Sequence, residues 1–399
     1  MPNDLPRLLV ATEFPPNASG GGPAIVRQML KEWPVENLFW WSCLPERNTR
    51  FRQKVAAHRT AAIPRKLYPN QRLSRQKSWL MEHVWTPLAT GHFRKALLTF
   101  KPDVIWIIPH LWAIPPLARA LRRSNMGFHT TVQDYMDTWT WIGRLGPRRM
   151  ERVVRMADWL YANATTRDAT SHPMISDLRD RTGADAAQML HAGLEQEDFA
   201  YLAAKRETHP DSIRIAYAGS VSVEESFELF IDALAAIRNK LSRPVTIEIF
   251  SAHSYRAHRW FDPSWMHERG NLPEPEFTWA QRQCTWGFAP MSLSEDEPRH
   301  RFSFPTKFIS YLAAGLPIFT LGHPETSVVK MAQAYQVGIC ITSRDPEILR
   351  KKLLEALLIE DPWKVFGPEI LRCAHNEYDA IDKRRKLYRC FFDCARLKR

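Results

Sequence analysis

The order of buried strand, polar loop and helix, which the chain runs through twice, constrains the fold more than any other feature. Residues 7–12 (RLLVAT) form a largely apolar run, residues 13–23 a glycine-rich loop, and residues 24–33 a helical pattern. Apolar runs of this kind are typical of strands buried on both faces of a parallel sheet. The order begins again at Ile213, so the sequence predicts two doubly wound α/β domains.

Further strands and helices extend the alternation in both halves. The predicted strands are residues 103–109, 129–134 and 159–164 in the first half, and 213–220, 244–252, 286–291, 317–322 and 338–342 in the second. The predicted helices are 113–124, 148–157, 226–241, 306–315, 345–359 and a terminal helix from residue 375, and long loops are predicted at 262–275 and 293–305. A chain of 399 residues is too long for one ordinary core, and we place the join near residues 190–199.

Composition excludes several classes of protein. No apolar run reaches roughly 18 residues, so no membrane span is predicted. The first residues, MPNDLPRLLV, lack the basic and apolar regions of a signal peptide. The 6 cysteines are scattered without a Cys-x-x-Cys pair, which favours free thiols in a reducing compartment. We therefore expect a cytoplasmic protein.

Positive charge is concentrated in residues 47–101, which we call the basic segment. It contains thirteen Lys or Arg and one acid, Glu82, in a chain whose net charge is +12. Aromatic and leucine residues lie among the charges: Phe51, Leu67, Tyr68, Trp79, Leu80 and Trp85. Two interpretations are open: a solvated basic helical surface, or a surface for anionic membrane, where Trp and Tyr lie at the headgroup level. Binding to nucleic acid ranks last, because no zinc finger, RNA-recognition signature or other nucleic-acid motif is present.

The helix predicted over residues 306–315 begins in a way that suits an anion. Pro305 can begin a helix because its missing N–H would be unpaired there, and Gly315 can end it. The first N–H groups of a helix carry partial positive charge and can bind phosphate. Lys307 lies in this first turn, where the helix dipole disfavours a cation unless an anion lies between them. The alternative is a lysine that extends to solvent from an exposed turn.

Three glycines, Gly20, Gly21 and Gly22, lie between the first strand and the first helix. They allow positive φ and close approach of the backbone to a ligand. The sequence is not G-x-G-x-x-G, so the dinucleotide fingerprint is absent. With Lys307, the chain has a helix start suited to phosphate in each domain, and the two together favour a cleft that holds a diphosphate.

These motifs resemble the retaining glycosyltransferases of the GT-B fold, and most of all glycosyltransferase family 4 and its relatives. The resemblance rests on residues 8–23, 101–110, 213–234 and 302–322, of which FPTKFISYLAAGLP is the most specific piece, and it extends from residue 8 to about 388. It implies two Rossmann-like doubly wound α/β domains that face a central cleft. The implied domains are an acceptor domain over 1–192, to which a C-terminal helix over 375–399 crosses back, and a donor-nucleotide domain over 193–374.

The resemblance also implies roles for individual residues. The implied donor-binding residues are Gly20, Gly21, Gly22, Ser220, Arg301, Thr306 and Lys307, of which Lys307 contacts the diphosphate. His110 corresponds to a histidine near the sugar, and Asp134 to the acid of a His-Asp pair whose histidine position is Gln133 here. Both are candidate catalytic residues. The structural alternatives are a packed or capped histidine and a turn aspartate.

The chain departs from the family at several functional positions. Phe302 and Ser310 replace a pair of glutamates that the family often has. The phosphate-binding Arg and Lys after the first strand of the second domain are also absent, since GSVSVEES offers serines and acids there. Glu295 and Glu297 lie close upstream, either as replacements or as part of an exposed acidic loop, and Arg301 offers positive charge.

We therefore predict a cytoplasmic glycosyltransferase of the hexosyltransferase type, located at the inner face of the membrane if the basic segment binds lipid. It would transfer a sugar, with retention, from a nucleoside diphosphate sugar to a polysaccharide, glycolipid or related acceptor. No cofactor and no metal are expected, because protein cations and helix N-termini can stabilise the leaving diphosphate and no Asp-x-Asp motif is present. The alternatives are a non-catalytic nucleotide-sugar-binding or assembly protein, which the missing glutamates favour, and a sugar-nucleotide 2-epimerase.

Overall fold

The structure is a computed structural model that describes residues 5–18, 20–45, 57–67, 73–134, 147–204, 211–295 and 297–396. The chain divides into two compact units. The N-terminal unit comprises Met1–Ala192 together with Asp382–Arg399, and the C-terminal unit comprises Gly193–Ile381. Each unit is built around one parallel sheet and is described by itself.

The N-terminal unit has a seven-stranded sheet in which all neighbouring strands are parallel. Its strands are β1 (Leu8–Ala11), β2 (Leu38–Ser42), β3 (Ala57–Thr60), β4 (Val104–Ile107), β5 (Phe128–Val132), β6 (Thr166–Ala169) and β7 (Gln188–Met189). They lie in the order β3-β2-β1-β4-β5-β6-β7. The strand order therefore reverses between β1 and β4, and ligands of open α/β sheets bind beyond the carboxyl ends of the strands at such a point.

Helices connect these strands. They are α1 (Gly21–Met29), α2 (Ser74–Leu80), α3 (Thr86–Phe100), α4 (Ile114–Leu121), α5 (Pro147–Ala162) and α6 (His172–Thr182), and a π-helical turn (Met81–Trp85) joins α2 to α3. The first helix begins at Gly21, so Gly21 and Gly22 lie in its first turn, although the sequence predicts them in the preceding loop.

The C-terminal unit also consists of a parallel sheet with connecting helices, and its sheet has six strands. Its strands are β8 (Ile213–Ala218), β9 (Val245–Phe250), β10 (Met266–Glu268), β11 (Trp286–Pro290), β12 (Ile318–Leu321) and β13 (Gly338–Ile341), in the order β10-β9-β8-β11-β12-β13. Its helices are α7 (Gln196–Ala203), α8 (Glu224–Ile237), α9 (Glu276–Arg282), α10 (Pro298–Phe302), α11 (Thr306–Ala313), α12 (Ser327–Tyr335), α13 (Pro346–Leu357) and α14 (Pro362–Tyr378). The predicted long loops thus contain β10 and α10.

The last helix, α15 (Ala380–Arg396), follows α14 after a break at Asp379, and from Asp382 onward it belongs to the N-terminal unit. Successive residues of a strand point to opposite faces, so the N-terminal sheet has two apolar layers. Trp41 on β2 lies in the layer formed with α3, α4 and α5, whereas Trp40 lies in the layer formed with α1 and α15. From α15, Tyr388 and Phe391 pack edge-on against Trp33, with ring centroids 4.8 and 5.5 Å away. The helix is therefore part of the core of the N-terminal unit.

The predicted class of two doubly wound α/β domains is confirmed, but one predicted strand is wrong. The sequence predicts a strand over residues 159–164, whereas the structure places its first four residues in α5 and begins β6 at Thr166. A short apolar run cannot distinguish a strand from a buried helical turn, and Leu160 and Tyr161 are buried in helical geometry. The strand β6 reads TRDA and buries Asp168, so its polar composition gave no strand signal. Among the helices that the structure describes, none combines the length and apolar character needed to cross a bilayer.

Candidate functional site

Three polar side chains follow three adjacent strands of the N-terminal sheet. Glu13 follows β1, His110 follows β4 and Asp134 follows β5, and these strands are neighbours in the sheet. The carboxyl ends of parallel strands meet at one edge, so the fold brings the three residues together. The structure thus places the two candidate catalytic residues, His110 and Asp134, in contact and adds Glu13 to them.

The His110 imidazole lies between two carboxylates. Its Nδ1 is hydrogen-bonded to Oε2 of Glu13, and its Nε2 lies 3.1 Å from Oδ2 of Asp134. Burial alone would lower the pKa of His110, but the two carboxylates outweigh it and raise the pKa to about 10. His110 is therefore an imidazolium ion at neutral pH, and both ring nitrogens donate. The hypothesis of a histidine that is merely packed does not account for two charged partners.

Exposure differs sharply across this cluster. The side chain of Glu13 is 5% exposed, that of His110 26% and that of Asp134 42%. Among the described residues, Oε1 of Glu13 is buried without a hydrogen-bond partner. The cluster thus runs from a buried carboxylate to an accessible one.

The glycine-rich loop lies beside the same edge. Gly20 precedes α1 with φ at 112°, a conformation that favours glycine, and Arg27 fixes the loop by donating from Nη1 to the carbonyls of Pro16 (3.1 Å) and Ala18 (2.7 Å). A Cβ atom on Gly22 would lie 2.6 Å from Oε1 of Gln133. Because Gln133 immediately precedes Asp134, the first turn of α1 and the Glu13–His110–Asp134 cluster are neighbours in the N-terminal unit.

In the C-terminal unit, Lys307 lies in the first turn of α11. Its ammonium nitrogen is 4.0 Å from the centroid of the Tyr217 ring, at the end of β8. Burial lowers the pKa of Lys307 to about 7, and no carboxylate among the described residues offsets this effect. The ammonium therefore packs on an aromatic face without a counter-ion in the part of the chain that the structure describes.

Hydrogen bonds fix the surroundings of Lys307. Tyr311 accepts at Oη from the Ala218 N–H (2.9 Å) and donates to the Phe288 carbonyl (3.1 Å), which joins α11 to the end of β8 and to the middle of β11. The hydroxyl of Tyr217 donates to the carbonyl of Ser220 (2.7 Å), which lies in the exposed turn after β8.

The remaining predicted donor residues lie on either side of the start of α11. Thr306 is its first residue, and no side chain caps the helix. Arg301 is exposed at the end of α10. The two positions where the family often has glutamate are filled differently: Phe302 is buried, and Ser310 donates to the carbonyl of Lys307 (2.9 Å) and accepts from Gln281 (3.3 Å).

The acidic stretch upstream of α10 is solvent-exposed where it is described. Glu295 and Glu297 are both exposed, Glu297 pairs with His300 at 3.3 Å, and Asp296 lies outside the described residues. Within the described ranges, no group of three or more His, Cys, Asp or Glu side chains is arranged to hold a metal ion.

Two residues of these sites were not predicted from the sequence, Glu13 and Tyr217. Glu13 lies two residues after β1, and Tyr217 is the penultimate residue of β8. Both lie at the carboxyl end of the strand that comes first along the chain in their unit, and open α/β folds bind ligands beyond such ends. That position is the signal that could have identified them.

Comparison with solved structures identifies the fold. A sucrose-phosphate synthase from Thermosynechococcus elongatus matches over 98% of this chain and 99% of its own, with 13% identity and a TM-score of 0.68. A glycosyltransferase from Rickettsia africae matches over 98% and 99%, with 11% identity and a TM-score of 0.65. A UDP-forming trehalose-phosphate synthase from Burkholderia xenovorans, in complex with glucose-6-phosphate, matches over 96% and 99%, with 14% identity and a TM-score of 0.62.

These similarities extend over nearly the whole chain. Because the sequence identity is so low, they establish the fold alone. The chain therefore has the α/β fold of GT-B glycosyltransferases, as the sequence predicts. No protein-family model and no curated protein matches it.

Proposed function

We propose that the protein is a retaining glycosyltransferase that transfers a sugar from a nucleoside diphosphate sugar to a glycan or lipid-linked acceptor. The C-terminal unit, Gly193–Ile381, would bind the donor. The N-terminal unit, residues 1–192 with the C-terminal helix, would bind the acceptor. The observation that supports this most directly is the ammonium of Lys307, which packs on Tyr217 without an acidic partner among the described residues.

Lys307 is half-buried, and a cation that is partly withdrawn from water without a counter-ion is costly unless a ligand supplies the opposite charge. Lys307 lies in the first turn of α11, whose first N–H groups are directed towards the same end of the helix. A diphosphate would satisfy both groups at once, through charge-assisted hydrogen bonds and the helix dipole. The fold, and the UDP-forming trehalose-phosphate synthase among its structural neighbours, support a nucleoside diphosphate as the source of that group.

A second candidate function is a non-catalytic nucleotide-sugar-binding protein on the same fold. It is favoured by the side chains at positions 302 and 310, where neither the buried Phe302 nor the hydrogen-bonded Ser310 can accept hydrogen bonds from a sugar or ribose as a carboxylate does. This candidate keeps the role of Lys307 and differs only in whether a product forms.

A thermal-shift screen against UDP-, GDP-, ADP- and TDP-sugars tests the donor site. A ligand present at about 100 times its Kd should stabilise the protein by roughly 2.7 kcal/mol, because it binds the folded state alone. We expect one nucleotide series to raise the melting temperature and the others to leave it unchanged. Release of the nucleoside diphosphate with a glycosylated product then distinguishes transfer from binding. No stabilisation by any series would exclude both candidates.

We also propose that the basic segment brings the protein to anionic membranes. Parts of this segment, residues 47–56 and 68–72, lie outside the described residues. In the described part, Trp79, Leu80, Val84 and Leu88 form an exposed apolar strip on α2, the π-helical turn and α3, with exposed fractions of 50, 36, 45 and 68%. Apolar side chains beside basic ones are typical of helices that lie in a membrane interface.

Charge around this strip is almost entirely positive. Glu82, the one acid of the basic segment, pairs with Arg149 at 3.2 Å and with Arg152 at 2.8 Å, both from α5. Lys77 and the exposed Arg75 lie on α2 beside the strip. Each basic residue close to an anionic leaflet contributes about 1 kcal/mol, so a few are enough for useful binding.

We expect the protein to sediment with vesicles that contain phosphatidylglycerol and to remain free with phosphatidylcholine alone, and we expect added salt to weaken binding. Leu88→Glu should reduce binding, because it places a charge in the apolar strip. Leu98→Glu is the matched control, since Leu98 is similarly exposed on α3, at 76%, but lies outside the strip. Equal sedimentation with both kinds of vesicle would contradict the membrane proposal.

Charge reversal at Arg65, Lys66, Arg72 and Arg75 gives a second variant for the same assay; Arg72 and the side chain of Lys66 lie outside what the structure describes. This variant should lose binding to anionic vesicles and keep nucleotide binding. If it keeps vesicle binding, the basic segment is not the membrane surface.

A further inference from the structure

Glu82, the one acid of the basic segment, contacts two arginines of α5 at once. Its Oε2 lies 3.2 Å from Nε of Arg149 and its Oε1 lies 2.8 Å from Nη2 of Arg152, so one carboxylate holds two guanidinium groups next to each other. Arg149 is fixed further by its Nη1, which donates to the carbonyl of Arg75 at 3.2 Å. The two arginines are therefore held against the π-helical turn in a defined arrangement.

This pairing leaves donor groups of both arginines unused. In the part of the chain that the structure describes, Nη2 of Arg149 and the Nε and Nη1 groups of Arg152 have no hydrogen-bond partner, and the side chain of Arg152 is 47% exposed. One carboxylate balances only one of the two cations. Exposed ion pairs also contribute little to stability, so fastening α5 to the π-helical turn does not account for the arrangement. It suits a ligand that supplies further negative charge.

The surroundings of the two arginines are strongly positive. The helix α2 contributes the exposed Arg75 and the half-buried Lys77, and the first half of α5 adds the exposed Arg148 and Arg155. Glu151, the one acid in residues 147–155, is paired with Arg155 at 2.9 Å. An anion at this place would therefore meet an excess of cations.

The arginine pair also lies beside the exposed apolar strip. Glu82 comes three residues after Trp79 and two before Val84, and both of these belong to the strip. Tryptophan rings lie at the level of the lipid headgroups when a helix enters a membrane interface. Side chains that reach Glu82 would then lie at the depth of the lipid phosphates. The π-helical turn that carries Glu82 is itself a rare geometry that is frequent at functional sites.

We propose that Arg149 and Arg152 bind the phosphate of a membrane lipid whose headgroup is a phosphomonoester, and that Glu82 is the positioning residue that holds them for it. This inference rests on the proposed association with anionic membranes and adds a selectivity that net charge alone does not give. A phosphomonoester has three terminal oxygens and a charge of about −1.5 to −2 at neutral pH, whereas a phosphodiester has fewer free oxygens and a single charge. Two adjacent guanidiniums match the monoester, because each planar group can donate to two oxygens.

Sedimentation with two kinds of vesicle tests the selectivity. One kind contains phosphatidic acid and the other phosphatidylglycerol, both in phosphatidylcholine and adjusted to equal zeta potential, so that the general attraction of charge is the same. We expect the wild-type protein to bind the phosphatidic acid vesicles at least about 10-fold more tightly, the effect of one additional charge-assisted hydrogen bond. Equal binding to both would overturn the phosphate site and leave the membrane proposal standing, whereas binding to neither would overturn both.

Glu82→Gln distinguishes a positioning role from simple membership of a charged surface. Removing an acid makes the surface more positive, so a surface that acts by net charge would bind both kinds of vesicle more tightly. A positioning role predicts instead that the preference for phosphatidic acid is lost, while binding to phosphatidylglycerol rises with the added positive charge. Glu151→Gln is the matched control, because it removes the same charge from the exposed pair with Arg155 and should keep the preference. A preference that survives in Glu82→Gln would contradict the role of Glu82.

Arg152→Lys tests the guanidinium itself, because lysine keeps the charge but lacks the planar group. This variant should lose most of the preference for phosphatidic acid, whereas Arg155→Lys, on the same helix, should keep it. If Arg152→Lys keeps the preference, Arg152 does not bind the phosphate. Glycerol 3-phosphate, added at constant ionic strength, tests whether the ligand is a lipid, and we expect it to leave the protein on phosphatidic acid vesicles. Displacement at micromolar concentration would show a site for a free phosphate and overturn the proposal.

Discussion

Replacing Lys307 with methionine should weaken binding of the nucleoside diphosphate by about 1.5–3 kcal/mol, or roughly 10- to 150-fold in Kd. Methionine is apolar and unbranched, so it can pack on Tyr217 where the lysine does, but it offers no charge to a phosphate. Isothermal titration calorimetry gives the Kd of both proteins. Unchanged affinity would refute the assignment of Lys307 to the diphosphate.

The lowered pKa of Lys307, about 7, adds a pH dependence to this prediction. In the free protein the amine is mostly neutral above pH 7, whereas a bound diphosphate favours the ammonium, so binding must take up a proton. Affinity of the wild-type protein should therefore fall above pH 7, by up to about tenfold per pH unit. Lys307→Arg is the matched control, because arginine stays charged throughout this range and should bind without this pH dependence.

The lowered pKa of Lys307 also makes the free energy of unfolding depend on pH. The direction of this change follows from which state, folded or unfolded, keeps the proton. Between about pH 7 and 10 the unfolded chain keeps a proton on Lys307 that the folded protein has lost. The free energy of unfolding of the C-terminal unit should therefore rise with pH in that window and lose this rise in Lys307→Met. A wild-type protein without the rise would show that the half-buried lysine keeps its proton.

His129→Leu should destabilise the N-terminal unit by about 3–5 kcal/mol, because it removes the nearer polar partner of a buried carboxylate and leaves it only the amide of Gln188, 3.4 Å away. His129 on β5 and Asp168 on β6 are fully buried, and Nε2 of the histidine lies 3.1 Å from Oδ2 of the aspartate. In the described part of the chain, Oδ1 of Asp168 has no hydrogen-bond partner. Hydrogen exchange of the β5 and β6 amides, read by mass spectrometry, reports the change in this unit separately from the other.

The double variant His129→Leu/Asp168→Leu separates the pair from the packing around it. Removing both side chains should recover most of the lost stability, since an apolar pair of similar volume replaces the buried polar pair. Glu151→Gln is the control, because it breaks the exposed Arg155–Glu151 pair and should change stability by less than about 1 kcal/mol. If the double variant is no more stable than His129→Leu, the loss is one of packing.

Most strands that are buried on both faces were predicted, because they are continuous apolar runs, but β2 (LFWWS) was not predicted although it is apolar and fully buried. The sequence analysis also did not predict β3 (AHRT), an edge strand with a half-exposed, polar sequence, or β6, whose buried Asp168 pairs with a residue of another strand. In both cases the pairing that stabilises the strand comes from a distant part of the chain. A local sequence pattern contains no information about such a distant partner.

The candidate site also contains features that a local sequence pattern predicts and contacts that it does not. Lys307 and the glycine loop were predicted because each forms a helix start that is visible in a few consecutive residues. The contact of Glu13 with His110 was not, because it depends on β1 and β4 being neighbours, and strands 97 residues apart along the chain become neighbours only through the strand order of the sheet. Similarly, the place of Lys307 on the Tyr217 ring depends on how α11 docks on β8.

The position of α15 along the chain affects the order in which the two units can complete their cores during translation. Leu387, Tyr388, Phe391 and Cys394, near the end of the chain, complete an apolar layer that begins with Leu8 and Val10 on β1. A ribosome translates the whole C-terminal unit before it reaches these residues. The domain that is made first is therefore the last to close its core, the reverse of the usual order of co-translational folding. Until α15 has been translated, the face of β1 and β4 that it covers remains exposed. A chaperone could bind this apolar surface during that time.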